Sequence, residues 1–362
     1  MGSYRFLLAW CVVIEHLATG VTYVSHTGMF AVVGFYVLSG YLITRSLNDV
    51  YAFQPIPFWS NRFLRLYPVY FVLLALGLPL VLGTPRAAEF FPEVWKKHPE
   101  FSDWIGLLTI VPMGISPMQW TFRPIPSIWS VGVELLNYGV LFAFVARRKY
   151  CAVLMLVAAA CYHIVSLLKG DEIGARYFPF YAALLPFALG AVIYFLTSRS
   201  YQVGPKVALL LCAPAAANCV MAGVIGGAQN SISFNVLFYL NLVFQGIAVA
   251  GLATLRPQPS GKIDSLLGDL SYPIFLCHWL VGYIIALVLF PGEWRGIGLM
   301  LATIVCSTGV AYVICLAQDA LLEPLRSRIR GNAAVSNRQS DSAQFGQIDR
   351  AAGWHTRRRF AE

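Results

Sequence analysis

The chain is organised as long apolar runs separated by short polar segments. Ten runs approach or reach the ~20 residues a helix needs to cross the hydrocarbon core of a bilayer. They cover residues 4–24, 29–46, 64–83, 128–146, 151–168, 177–197, 207–225, 234–255, 270–290 and 296–317. The pattern predicts an all-α polytopic membrane protein, a bundle of about ten transmembrane helices over residues 1–330. The apolar stretch "WIGLLTIVPMGI" at 104–115 is too short to span and reads as re-entrant or interfacial.

The polar segments give this bundle a direction. Arg45, Arg62 and Arg65 follow the second run, Arg147, Arg148 and Lys149 the fourth, and Arg199 and Lys206 the sixth. Arg256 and Lys262 follow the eighth, and Arg326, Arg328 and Arg330 the tenth. Basic residues at each even-numbered exit place both termini in the cytoplasm. The longest outer segment, 84–127, carries Trp95, Trp104 and Trp120, which suit an interfacial aromatic belt or a surface for stacking sugars. Residues 331–362 are polar and read as a disordered cytoplasmic tail.

Composition agrees. Hydrophobic residues make up 58% and charged residues 12%, against a charged share of about 25% in soluble domains. The net charge of +9 is gathered in the clusters between runs, so the expected partner is the lipid bilayer and not nucleic acid. Eight cysteines lie in or at the edges of apolar runs without a C-x-x-C pair, and neither disulfides nor a metal site is expected. Glu15 and His16 interrupt the first run, which therefore reads as an uncleaved helix and not a signal peptide.

Ionisable groups inside apolar runs are the candidates for chemistry, because each costs about 2.5–3.5 kcal/mol at mid-bilayer and must face protein or a wet cavity. In "RFLLAWCVVIEH", Arg5 and His16 are eleven positions apart, about three turns, so they share a face with His16 about 16 Å deeper. Glu15 points about 100° away. In "GFYVLSGYL", Ser39 and Gly40 allow close approach by a helix or a ligand. Arg62 and Arg65, three apart, lie on one face of an interfacial helix, either gripping phosphates or setting topology. Ser130 and Glu134 share a face at i and i+4. Asp269 marks the cytoplasmic end of the ninth run, and His278 lies about 13 Å deeper, as a structural or a catalytic histidine.

These fragments together resemble the acyltransferase 3 family of bacterial membrane acyltransferases. "RFLLAWCVVIEH" is similar to the family's R-x10-H; "FYVLSG" to F-F-x-x-S-G, with Tyr36 for the second Phe; and "RFLR" to R-x-x-R, followed by Pro68 and Tyr70. "WSVGVE" is similar to W-S-x-x-x-E, and "LSYPIFLCHW" to S-Y-x-x-Y-L-x-H, with Phe275 in place of a tyrosine. Glu15 beside the histidine departs from the usual pattern.

The resemblance implies transfer of an acyl group, often acetyl from acetyl-CoA, to a hydroxyl of a glycan or related surface molecule, by an enzyme of the bacterial inner membrane. On that reading His16 and Glu134 are catalytic, and Arg5, Arg62 and Arg65 bind the phosphates of a cytosolic acyl-CoA. Ser39, Ser130 and His278 support them, and no bound cofactor is required. His16 acts as a general base on the acceptor hydroxyl or carries the acyl group briefly. The alternative is a transporter or flippase for a lipid-linked glycan. Such proteins often show two related halves, whereas here the charged landmarks concentrate in the first ~140 residues and do not recur.

Overall fold

A computed structural model of the protein describes residues 1–18, 25–95, 98–197, 202–256 and 261–332. Helices α1 (Gly2–Leu17), α2 (Thr27–Ser46) and α3 (Pro55–Gly83) come first, with a π-helical turn Leu47–Tyr51 extending α2. Four short helices follow: α4 (Ala87–Phe90), α5 (Pro92–Trp95), α6 (Phe101–Thr109) and α7 (Val111–Ile115). The remainder comprises α8 (Ile128–Ala143), α9 (Lys149–Leu168), α10 (Ile173–Tyr177), α11 (Phe180–Thr197), α12 (Pro205–Ile225), α13 (Ile232–Ala253), α14 (Gly261–Leu289) and α15 (Ile297–Leu321). Among the described residues the only β-structure is a single bridge between Val203 and Leu255. The architecture is that of an all-α polytopic membrane protein.

Each of the ten apolar runs falls on a helix. Eight of these helices are long and apolar enough to cross a membrane; α1 and α8, at 16 residues each, are shorter. Part of the first run, 19–24, lies outside the described residues, as does 333–362 of the expected tail; residues 331 and 332 close a helical stretch over 323–332. Helices α3 and α14 start nine residues before the runs that announced them. Arg62 and Arg65 consequently belong to α3 itself, continuous through Pro68, and not to a separate interfacial helix.

The bundle core is set by close backbone contacts. Helix α2 packs along α11, where a Cβ on Gly40 would meet the Phe187 carbonyl at 2.1 Å and one on Gly190 the Val37 carbonyl at 2.0 Å. Only glycine at both positions permits this approach. Helix α14 lies between α1 and α15. The stretch 104–115 is a broken helix: Ile110 takes φ 65° between α6 and α7, a conformation a β-branched residue adopts only at a break. Tyr67 and Tyr70 of α3 donate to the Thr109 carbonyl (2.7 Å) and the Leu107 carbonyl (2.8 Å). They satisfy acceptors that the break orphans, as burial in an apolar setting demands.

The outer tryptophans divide. Trp95 is 4% exposed and its indole donates to the Arg123 carbonyl at 3.0 Å, so it is core and neither belt nor sugar platform. Trp120 bonds the Pro112 carbonyl at 3.2 Å, and Trp104 is exposed.

Candidate active site

Helices α1, α2, α3, α8 and α14 enclose a cavity of about 340 Å³. Six residues singled out in the sequence line it together: Arg5, Ser39, Arg62, Arg65, Ser130 and Glu134. The guanidinium of Arg5 forms no hydrogen bond or ion pair among the described residues. Arg62 donates to Ser46 Oγ at 3.2 Å, while its Nε is buried without a partner. Arg65 meets Asp269 at 3.7 Å; Asp269 is largely exposed, and a pair of that kind contributes little. A buried donor without an acceptor is costly, and an anion in the cavity would satisfy it.

Among the described residues, Glu134 is the one carboxylate lining this space. Its Oε1 accepts from Ser39 Oγ at 2.8 Å and its Oε2 from Tyr138 at 3.1 Å. Tyr138, one turn beyond Glu134, went unremarked in the sequence although the i,i+4 spacing points to it. Ser130 donates to the Ser127 carbonyl at 3.0 Å, and Ser127 to the Phe275 carbonyl at 2.8 Å; Ser127 is thus a tether between α8 and α14. Tyr272 closes the same corner by donating to the Leu66 carbonyl at 2.9 Å.

His16 and His278 meet beyond the cavity. Their rings are nearly coplanar, 11° apart, and meet edge to edge, with His16 Nδ1 2.9 Å from His278 Nε2. His278 Nδ1 lies 3.3 Å from the Ile274 carbonyl, which can only accept, so Nδ1 carries the proton and Nε2 is the acceptor. His16 then donates through Nδ1, and the basic lone pair of its imidazole is on Nε2. One imidazole therefore fixes the tautomer of the other, as the base-orienting member of a catalytic triad does. Along α14, Ser271, Tyr272 and Phe275 line the cavity. His278 follows within one turn, its ring centre 6.4 Å from that of Phe275.

The spacing of Arg5 and His16 predicts one face of α1; in the structure Arg5 lines the cavity, and His16 lies outside its lining, in the histidine pair. The sequence foresaw Glu134 beside His16. In the structure Glu134 is held by Ser39 and Tyr138, and the imidazole bonded to His16 is that of His278. Glu15 accepts from the Met29 N–H at 2.9 Å, so a carboxylate from α1 caps the start of α2. A Cβ on Gly28 would lie 2.6 Å from that carboxylate, which explains the glycine.

A family model described as an acyltransferase domain matches residues 4–316. A curated relative, the "Putative membrane-bound transacylase BcsY" of Komagataeibacter xylinus, is 23% identical over 340 residues, covering 85% of this chain and 81% of the relative. No solved structure matches.

Proposed function

The chain belongs to the acyltransferase family that its residues 4–316 match, and on that premise we propose an integral-membrane O-acyltransferase acting from acyl-CoA, most simply acetyl-CoA, on a hydroxyl of a cell-surface glycan such as exopolysaccharide or lipopolysaccharide. The observation that carries this reading is one arrangement. A cavity with two incompletely paired guanidiniums, Arg5 and Arg62, ends within a helical turn of an imidazole pair whose basic nitrogen is His16 Nε2. The membrane-bound transacylase relative lends support.

In this mechanism the arginines hold the phosphates of the donor, with bidentate charge-assisted bonds available from each guanidinium. Glu134 offsets part of the positive charge of Arg5 and Arg65. His16 Nε2 takes the proton of the acceptor hydroxyl as its oxygen attacks the thioester carbonyl. The new C–O bond forms, the C–S bond breaks, and the departing thiolate recovers the proton from His16. The enzyme resides in the bacterial inner membrane with both termini cytoplasmic, so that the arginine end of the site opens to cytosolic donor.

The test is purified protein in sealed proteoliposomes with labelled acetyl-CoA and glycan from the host surface. Labelled ester on the glycan is expected. Arg5→Ala and Arg62→Ala raise KM for acetyl-CoA by about tenfold or more, the loss of a charge-assisted bond. Movement of unmodified glycan across the membrane with no ester formed would replace this reading with a transporter.

A further inference from the structure

At the far end of the histidine pair from the donor cavity sits a cation that the mechanism above does not use. Arg295 lies in the turn between α14 and α15, half-buried. Its guanidinium donates to the Trp294 carbonyl and, at 3.0 Å, to the Phe90 carbonyl. It lies over the ring of Phe90 at 4.7 Å and that of Trp279 at 5.3 Å. Among the described residues it forms no ion pair: Glu89 pairs with Arg86 instead, and Glu93 acts on Arg295 only through its field. Burial lowers its pKa from the ordinary arginine value and Glu93 opposes that shift, but an arginine keeps its charge in proteins.

The position of this cation is fixed with unusual care. The next residue, Gly296, has φ 154° and ψ 166°, a conformation essentially restricted to glycine. Its N–H donates at 2.8 Å to the carbonyl of Leu17, the neighbour of His16. Trp279, which Arg295 covers, lies 4.7 Å from the His16 ring. The guanidinium carbon is therefore at most about 10 Å from the centre of that imidazole. A rigid, half-buried charge without a close counter-charge is preorganised for an anion. Its place beyond the histidine pair puts that anion on the acceptor and not on the donor, whose arginines lie at the other end.

We infer that Arg295 is an acceptor-side anion site, binding a carboxylate or phosphate group carried by the glycan near the hydroxyl that His16 deprotonates. This rests on the acyl-transfer reading for its reacting hydroxyl, and it narrows the acceptor to acidic glycans. Backbone carbonyls and aromatic faces hold the guanidinium, so the N–H groups they leave over meet the anion in a fixed direction.

The experiment compares neutral oligosaccharides with their uronate-containing and phosphate-bearing counterparts, using wild type, Arg295→Gln and Arg295→Lys, each checked for folding by thermal unfolding. Turnover is read as kcat/KM with labelled acetyl-CoA, and binding by quenching of tryptophan fluorescence, since Trp279 and Trp294 flank the site. Wild type should prefer an acidic acceptor by about tenfold to a hundredfold, the range of a charge-assisted bond. Arg295→Gln should bring that ratio close to one, and Arg295→Lys should keep part of it. Which acid is preferred, uronate or phosphate, identifies the source of the anion. No acid preference in wild type, or a ratio unchanged in both variants, overturns the inference. Binding of the acidic acceptor that depends on Arg295 with no ester formed would keep the anion site and remove the acyl-transfer reading.

Discussion

The imidazole of His16 depends on its neighbour for orientation, and that dependence separates two substitutions. On the base role proposed for His16, His16→Ala should lower kcat by about 10²- to 10⁴-fold, with membrane insertion intact because a costly polar group has gone. His278→Ala leaves the base in place without its tautomer partner, so kcat should fall by a smaller factor while KM for the donor holds. Steady-state kinetics at matched protein levels reads both; full activity in His278→Ala would remove its orienting role. Glu15, one position away, predicts the opposite behaviour. As the cap of α2 it should cost about 1 kcal/mol of stability when changed to Ala, seen as a lower unfolding midpoint, with acyl transfer retained. Lost transfer at unchanged stability would place Glu15 in the chemistry. Its partner, a backbone N–H across a helix pair, leaves no mark in the sequence, whereas the spacing of Arg5 and His16 does.

Helices were legible where they are apolar all round and hidden where one face is polar. The first nine residues of α3 and α14 carry polar side chains, Ser60, Asn61 and Arg62 on one and Lys262, Asp264, Ser265 and Asp269 on the other, and an apolar count reads only the later part of each. The five cavity-lining helices are named by their motifs, but which motif meets which was not legible. That pairing is set by how closely backbones approach, and Gly40 shows how. Ser39 faces the cavity while Gly40, next to it, seats α2 on α11. Gly40→Ala or Gly190→Ala must force these backbones apart. Overpacking of this kind costs about 1–3 kcal/mol, and it should also draw Ser39 away from Glu134. The expected result is a lower unfolding midpoint in detergent together with reduced turnover. Wild-type stability in both variants would mean that the two helices do not pack through these glycines.

For the whole molecule the open quantity is whether the two 16-residue helices cross the membrane, since about 24 Å of rise falls short of a ~30 Å hydrocarbon core. Helix α1 bears His16 and α8 bears Glu134, so the shortest candidate spans are the ones that carry the site. A thin, polar-lined region there is compatible with crossing, because the cavity already brings ionisable groups to that depth. The count has a consequence that parity alone conceals. With ten spans or with eight, both ends of the described chain fall on one side, but the segment between α3 and α8 changes sides relative to the turn after α8. Ten spans put Phe101 and Tyr150 on opposite faces; if α8 does not cross, they share one. Both positions are 82% exposed, so cysteine placed at either is open to a membrane-impermeant maleimide, against a background in which the native cysteines are replaced. We expect Phe101→Cys to label from outside the cell and Tyr150→Cys only after the membrane is opened. Labelling of both from the same side would leave α8 as a re-entrant helix, and the arginine cavity would then have to be reassigned from the cytosolic face to whichever face the labels reveal.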